Sequence, residues 1–218
     1  MSTYLQLELA KMGTLNGDKE CFDDVVSLTL LVKEKVFSSK ENQRLYGTLN
    51  NFKGIRNLEE YARHRMITDE DKVKDMMKWC SEPMATSLTK LPTNLAALAT
   101  RLFRQNMLGI VGARKFSHPF VLYLQLLKVA LRFEAIRDEI YCQIMKMMNG
   151  CEEHGDARAK LWALMKLCVE HFPPSLALEN WLEFFLLKCN RYECLSGLHK
   201  TIVRFKAEKD LGKEALER

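Results

Sequence analysis

Residues 132–175 constrain the fold of this chain more than any other stretch of its sequence. Apolar residues in the first part follow steps of four, four and three, the spacing of one helical face: Ile136, Ile140, Ile144 and Met147. A charged loop follows at residues 150–159, and a second amphipathic stretch begins at Lys160. Because Pro173 biases the residue before it away from helical angles, the second helix should end at Phe172. The stretch therefore predicts two packed helices that flank a polar turn.

Three consecutive charged residues, Arg137, Asp138 and Glu139, stand near the start of the first helix. We place them in its first turn, where acidic side chains favour the positive end of the helix dipole. Carboxylates can perform acid–base catalysis, but a buried arginine held by a carboxylate and backbone carbonyls can also fix how helices dock. We favour the structural role. Trp162 opens the apolar face of the second helix, and we predict that it is largely buried.

Four blocks of sequence, in this order, resemble the myosin tail homology 4 domain, and the similarity covers roughly residues 79–205. The blocks are Trp79 with Glu82-Pro83-Met84, Ser87-Leu88 and Leu91; Phe103 with Ile110-Val111-Gly112; Arg137 to Gln143; and Trp162-x-Leu164 with Phe172-Pro173-Pro174-Ser175. The chain departs from the family after Gln143, where Lys-Gln-Thr is common, and in the loop 150–159, which lacks the usual Asn-Pro and Ser. The resemblance implies a domain without a reaction of its own, in which the motif residues are structural: Arg137, Asp138, Glu139, Trp162, Phe172, Pro173 and Pro174.

The sequence predicts an all-α fold, a compact multi-helix bundle with short connections. No alternating strand pattern, fixed-period repeat or low-complexity tract is visible. We expect a helical N-terminal extension at residues 1–78 packed on the domain, the domain itself at 79–205, and a charged tail at 206–218. In one predicted helix, residues 118–132, four apolar residues share a face that should point to the core: Phe120, Leu124, Leu127 and Leu131.

The charge distribution says more about partners than the net charge of +5 does. No acidic residue occurs between Glu82 and Glu134. The basic residues that we single out in this interval are Arg101, Arg104, Arg114, Lys115, Lys128 and Arg132. They are either an ordinary solvated surface or an electrostatic site for an acidic polymer. Nucleic acid is the less suitable polymer, because aromatic residues are not interleaved with these cations as stacking platforms.

Other classes of function find little support in the sequence. No apolar run is long enough to span a bilayer, and no secretory signal precedes the chain's first helix. Seven cysteines, an odd number, indicate reduced thiols in the cytosol. Cys142 with His171 or His154 could form a nucleophile and base, and Cys189, Cys194 and His199 could suggest a metal site. We favour structural cysteines, and we predict no enzyme activity, cofactor or metal.

The resemblance implies which partners to expect. Domains of this family occur in unconventional myosin tails and in some kinesin-like proteins, commonly beside a FERM domain, and several bind microtubules. We therefore expect a cytoplasmic, cytoskeletal interaction module that binds microtubules or a cargo adaptor through the basic residues. The alternative is a structural support for a neighbouring FERM or other domain, without direct contact to a filament.

Overall fold

The structure is a computed structural model of the chain, and it describes residues 29–57, 59–61, 77–113, 118–151 and 155–216, with side chains as far as Lys209. The sequence also predicts a helix over residues 69–79, a first helix that starts at Asp18, and a helix cap at Ser117. These positions lie mostly or wholly outside the described ranges. The predicted all-α class is confirmed. Within the described ranges the only extended pairing is a single bridge between Ile55 and Thr89. No helix of the described part is long and apolar enough to cross a membrane.

The helices are numbered in chain order. They are α1 (residues 29–37), α2 (Lys40–Tyr46), α3 (Thr93–Leu102), α4 (Leu108–Ile110), α5 (Pro119–Arg132), α6 (Glu134–Met148), α7 (Gly155–His171), α8 (Leu176–Lys188) and α9 (Tyr192–Leu216). A π-helical turn, Phe103–Met107, joins α3 to α4, and a 3-10 turn, Leu49–Asn51, follows α2. Gly112 ends α4 with a φ of 86°, a conformation that glycine adopts without strain.

Helix α6 lies at the centre of the bundle. From Ile136 to Met148, every residue except Asp138 is buried. Helices α3, α5, α7 and α8 all pack against it, and α9 packs against α7 and α8. The four residues whose spacing predicted α6 are essentially inaccessible to water, so that prediction is confirmed. The breadth of the buried surface explains why polar residues of this helix must find partners inside the protein.

The described part of the N-terminal region packs on α8. The ring of Phe37 meets that of Phe184 edge to face at 5.5 Å, and Tyr46 meets Trp181 in the same way at 4.8 Å. Lys33 adds an ion pair between the two regions, because its ammonium lies 2.5 Å from a carboxylate oxygen of Glu183. The predicted domain boundary at residue 78 stays a prediction.

Helix α5 is turned differently from its predicted orientation. Phe120, Leu124 and Leu131 are exposed, and Leu127 alone of the predicted face is buried. The residues that face the core are Leu122, Leu126, Leu127 and Ala130. The orientation is fixed from the π-helical turn, where Asn106 donates from Nδ2 to the carbonyl of Leu122 at 2.9 Å and to Gln125 at 3.1 Å.

Three helix ends also differ from the prediction. Helix α6 begins at Glu134, so Arg137, Asp138 and Glu139 lie beyond its first turn. Helix α7 begins at Gly155 rather than at Lys160. Helix α9 continues to Leu216, so the predicted charged tail is helical over most of its length.

Candidate interaction surface

Arg137 is buried, but its contacts are not the predicted ones. Its Nε donates to the carbonyl of Ala130 near the end of α5, at 3.0 Å. Its guanidinium lies over the ring of Phe205 in α9, at 5.2 Å from the centroid. Among the described residues no carboxylate lies within ion-pair distance of it, so the arginine–carboxylate pair that we expected is replaced by a carbonyl and an aromatic ring. Arg137 therefore ties α5, α6 and α9 together.

Asp138 serves the N-terminus of a different helix. One carboxylate oxygen accepts from the backbone N–H of Ser175 at 2.8 Å, and the other accepts from its hydroxyl at 2.5 Å. The same hydroxyl oxygen accepts from the backbone N–H of Leu178, which caps α8. Burial raises the pKa of Asp138, although the two bonds from Ser175 oppose that shift. Asp138 therefore lies at the positive end of the α8 dipole, and not at that of its own helix as predicted.

Glu139 is the most enclosed of the three charged residues, with none of its surface exposed. It accepts from the backbone N–H groups of Leu88 at 2.9 Å and Thr89 at 2.6 Å. The hydroxyl of Thr89 and the amide of Gln143 complete the set, at 2.6 and 2.8 Å. Burial raises the pKa of Glu139 in spite of these donors. This carboxylate fastens the segment before α3 to the central helix.

The remaining motif residues close the α7–α8 corner. Trp162 is 8% exposed, which confirms its predicted burial, and it stacks on Phe185 with 5.9 Å between ring centroids. Phe172 is fully buried, and its carbonyl accepts from the hydroxyl of Tyr141 at 2.7 Å. Pro173 is half-buried and Pro174 is buried. Helix α7 ends at His171, one residue before the end at Phe172 that the double proline predicts.

The basic residues fall into two described pairs. Arg101 in α3 and Arg104 in the π-helical turn are exposed and line one shallow depression, together with Pro83, Met84 and Leu98. Lys128 and Arg132 are exposed one turn apart on α5. Within the described ranges none of these four side chains has an ion-pair partner. Arg114 and Lys115 lie outside the described residues.

Beside the second pair lies an exposed apolar patch that the sequence interpretation missed. Phe120 is 68% exposed, and Val121, Leu124 and Leu131 are also open to solvent. We refer to these four residues of α5 as the α5 patch. Clustered exposed apolar residues are typical of an interaction surface. Their signal in the sequence was hidden, because α5 is apolar on nearly every side and its periodicity alone does not select an inner face.

Among the described residues, the candidate catalytic and metal-binding groups are not brought together. Cys142 is fully buried, and burial raises the pKa of its thiol well above the usual value. His171 is exposed, with Nδ1 2.7 Å from the carbonyl of Leu167, while His154 lies outside the described residues. His199 contacts Glu183, with 2.7 Å between Nε2 and the carboxylate. In the described part of the chain no three His, Cys, Asp or Glu residues form a metal-binding group.

The sequence resembles tail domains of motor proteins. Residues 123–211 match the sequence model of the MyTH4 domain, the myosin tail homology 4 domain. The high molecular weight form of myosin-1 from Acanthamoeba castellanii is 38% identical over 135 residues, which are 62% of this chain and 8% of that protein. The kinesin-like protein KIN-14E of Arabidopsis thaliana is 29% identical over 123 residues, 52% of this chain and 9% of that protein. The chain therefore spans about a tenth or less of these relatives' length. The blocks from Trp79 to Gly112 lie outside the matched 123–211.

Solved structures share the fold. The MyTH4-FERM MF1 domain of Dictyostelium discoideum myosin VII, in a mutant form, superimposes with a TM-score of 0.60 at 18% identity, over 78% of this chain and 35% of that one. The C-terminal MyTH4-FERM domain of human myosin 7b superimposes with a TM-score of 0.55 at 23% identity, over 71% of this chain and 33% of that one. The second structure is a complex with the PDZ3 domain of harmonin-a.

Proposed function

We propose that this chain, whose residues 123–211 match the MyTH4 domain, is a non-catalytic interaction module of a cytoskeletal motor tail. Its partner would be the acidic surface of a microtubule, or an acidic cargo adaptor, bound through the basic residues of the acid-free interval. Arg101, Arg104, Lys128 and Arg132 would act together with Arg114 and Lys115. The module would place the protein at the cytoskeleton in the cytoplasm.

One observation carries this proposal: the exposed cations Arg101, Arg104, Lys128 and Arg132 have no ion-pair partner among the described residues. Uncompensated charge of one sign attracts and steers a partner of the opposite sign. The attraction between exposed charges reaches over a Debye length of only ~8–10 Å near physiological ionic strength. Binding should therefore be modest and should weaken steeply as salt is added.

Co-sedimentation with microtubules across a salt series tests the proposal. Arg101→Glu with Arg104→Glu should reduce the pelleted fraction several-fold, and so should Arg114→Glu with Lys115→Glu. A matched control, Lys35→Glu with Lys53→Glu, introduces the same change in net charge at exposed sites of the N-terminal region. Circular dichroism checks that each variant is folded, since surface substitutions usually change stability by less than ~0.5 kcal/mol. Unchanged pelleting of both basic-surface variants would remove microtubules as the partner of this surface.

The second candidate function is support of a neighbouring domain, and the α5 patch is the observation that favours it. The structural relatives are MyTH4-FERM units, of which this chain covers about a third. Phe120→Ser with Leu124→Ser should then weaken association with a FERM domain from one of the myosin VII tails, measured by size-exclusion chromatography. Microtubule pelleting should be unaffected, which separates the two functions.

A further inference from the structure

A second candidate site lies on another part of the bundle. A cavity of about 260 Å³ lies between four helices: the end of α2, the end of α6, the first half of α7 and the second half of α8. Five aromatic residues contribute to its walls: Tyr46, Trp162, Trp181, Phe184 and Phe185. We call it the tryptophan pocket. None of the basic residues of the proposed microtubule surface lines it, so the two sites can be tested separately.

The charge around the tryptophan pocket has one sign. Lys146, Arg158 and Lys188 line it, and none of its described lining residues is an aspartate or glutamate. Lys146 is already engaged, because its ammonium donates to the carbonyl of Lys78 and lies 3.2 Å from the sulfur of Cys80. Arg158 and Lys188, in contrast, have no ion-pair partner within the described ranges. A ligand with negative charge would therefore meet two available cations beside an apolar wall.

Two hydrogen-bond donors of the wall are also unsatisfied. The indole Nε1 atoms of Trp162 and Trp181 are buried, and neither has an acceptor in the described part of the chain. Buried donors in folded proteins nearly always have a partner, but both N–H groups are inaccessible in this structure. A ligand oxygen can reach them only if the wall yields. Met77, Met145 and Met148 also line the pocket, and methionine side chains adapt their shape readily.

The size of the tryptophan pocket restricts the occupant. Pockets for drug-sized molecules have volumes of about 300–1,000 Å³, so this one suits a single large side chain better than a whole nucleotide or cofactor. Aromatic anchors that fill such pockets often dominate the binding energy of protein partners. Arginine and lysine at the rim suit carboxylates on the same segment.

We propose that the tryptophan pocket binds an acidic peptide segment of a partner protein, which inserts one large apolar side chain between the aromatic walls and places carboxylates on Arg158 and Lys188. The side chain supplies affinity, and the carboxylates select acidic segments over neutral ones. The site is independent of the microtubule surface, so one protein could hold a filament and a partner peptide together.

The test uses the full chain and a fluorescein-labelled nonapeptide with a central phenylalanine flanked by glutamates and aspartates. Fluorescence anisotropy should show saturable binding. A peptide with alanine in place of phenylalanine, and one with glutamine and asparagine in place of the acids, should each bind at least tenfold more weakly. The Arg158→Gln, Lys188→Gln double variant should lose at least tenfold in affinity for the acidic peptide. A control, Lys35→Gln with Lys53→Gln, removes the same charge elsewhere and should bind like the parent.

A second measurement locates the peptide without relying on those variants. The indole N–H signals of Trp162 and Trp181, assigned from single Trp→Phe variants, should shift in NMR spectra when the acidic peptide is added. The proposal is overturned by absent binding to the parent, by equal affinity for all three peptides, or by unchanged affinity of the double variant. Full competition by ATP or by inositol hexakisphosphate at the peptide's own concentration would also overturn it, in favour of a soluble anion.

Discussion

Replacing Glu139 by alanine should be among the most damaging single changes in this fold. The carboxylate is fully buried and satisfies four donors: two backbone N–H groups, one hydroxyl and one amide. An alanine leaves all four without their acceptor. A buried donor that loses its partner costs ~1–3 kcal/mol, while removal of the desolvated charge offsets part of the sum. The two backbone donors cannot turn away and bear the full cost, whereas the two side-chain donors can partly relieve theirs. The free energy of unfolding should therefore fall by about 3 kcal/mol.

The consequence of this substitution should be local before it is global. Leu88 and Thr89 also pair with the N-terminal region, because the carbonyl of Leu88 accepts from the N–H of Arg56 at 2.8 Å, and Thr89 bridges to Ile55. Glu139→Ala should therefore release both the segment before α3 and residues 54–56 from the central helix. The amides of Leu88 and Thr89 should lose protection against hydrogen exchange in the folded variant.

Thermal melting gives the magnitude. A loss of 1 kcal/mol lowers the midpoint by about 2–4 °C in a chain of this size, so Glu139→Ala should lower it by roughly 6–12 °C. The matched control is Glu134→Ala in the first turn of the same helix, where an exposed pair with Lys209 at 3.1 Å contributes ~0–1 kcal/mol. If the two variants melt together, or if the Leu88 and Thr89 amides stay protected, the four hydrogen bonds do not hold the segment.

Three further predictions concern single side chains. Arg137→Ala should cost about 3 kcal/mol in urea unfolding, from one charge-assisted hydrogen bond at ~1.5–3 kcal/mol and one cation–π contact at ~0.5–1 kcal/mol; an unchanged midpoint would show that Arg137 is dispensable. Trp162→Ala should cost ~3–5 kcal/mol, and strong iodide quenching of Trp162, in a variant lacking the other two tryptophans, would contradict its burial. Burial raises the pKa of Glu183, but the hydrogen bond from His199 and the charge of Lys33 outweigh it, so the pKa lies below its usual value. The stabilisation from Glu183 should be present above about pH 4.5 and be lost as the pH falls through the lowered pKa. Urea unfolding at pH 6 and pH 3.5 should show the parent's advantage over Glu183→Gln shrinking in acid, and an equal advantage at both pH values would refute this assignment.

Sequence periodicity predicted α6 well because its information is local. The isoleucines of α6 repeat at helical spacing, and burial follows directly. Periodicity failed for α5, where apolar residues occupy almost every side. The observed orientation is accompanied by a hydrogen bond from Asn106 to Leu122, sixteen residues further along the chain. When a contact with a distant residue decides which face of a helix is buried, the spacing of apolar residues within that helix does not reveal it.

Helix ends were predicted less well for a related reason. Phe133, the residue before α6, has no polar side chain that could cap the helix, so the sequence lacks the usual signal for a helix start. We therefore assigned Asp138 and Glu139 to the first turn of α6, although they lie in its second turn. Gly155 is a poor helix former, which made the start of α7 look like loop. The partners of Glu139 lie about fifty residues away, and those of Asp138 lie thirty-seven away. The sequence showed that Asp138 and Glu139 are polar residues in an apolar helix, but it did not show which residues they bind.

The cysteines of this fold make it possible to follow its opening by thiol chemistry. Cys142 and Cys168 are fully buried, and burial raises the pKa of both thiols, so each is shielded from reagents and held in its unreactive protonated form. Cys80 and Cys189 are partly exposed. An alkylating reagent should therefore modify Cys80 and Cys189 early. It should reach Cys142 and Cys168 only when the bundle around α6 and α7 opens. The delay between the two labelling phases reports how often the native protein exposes its own centre, without the use of denaturant.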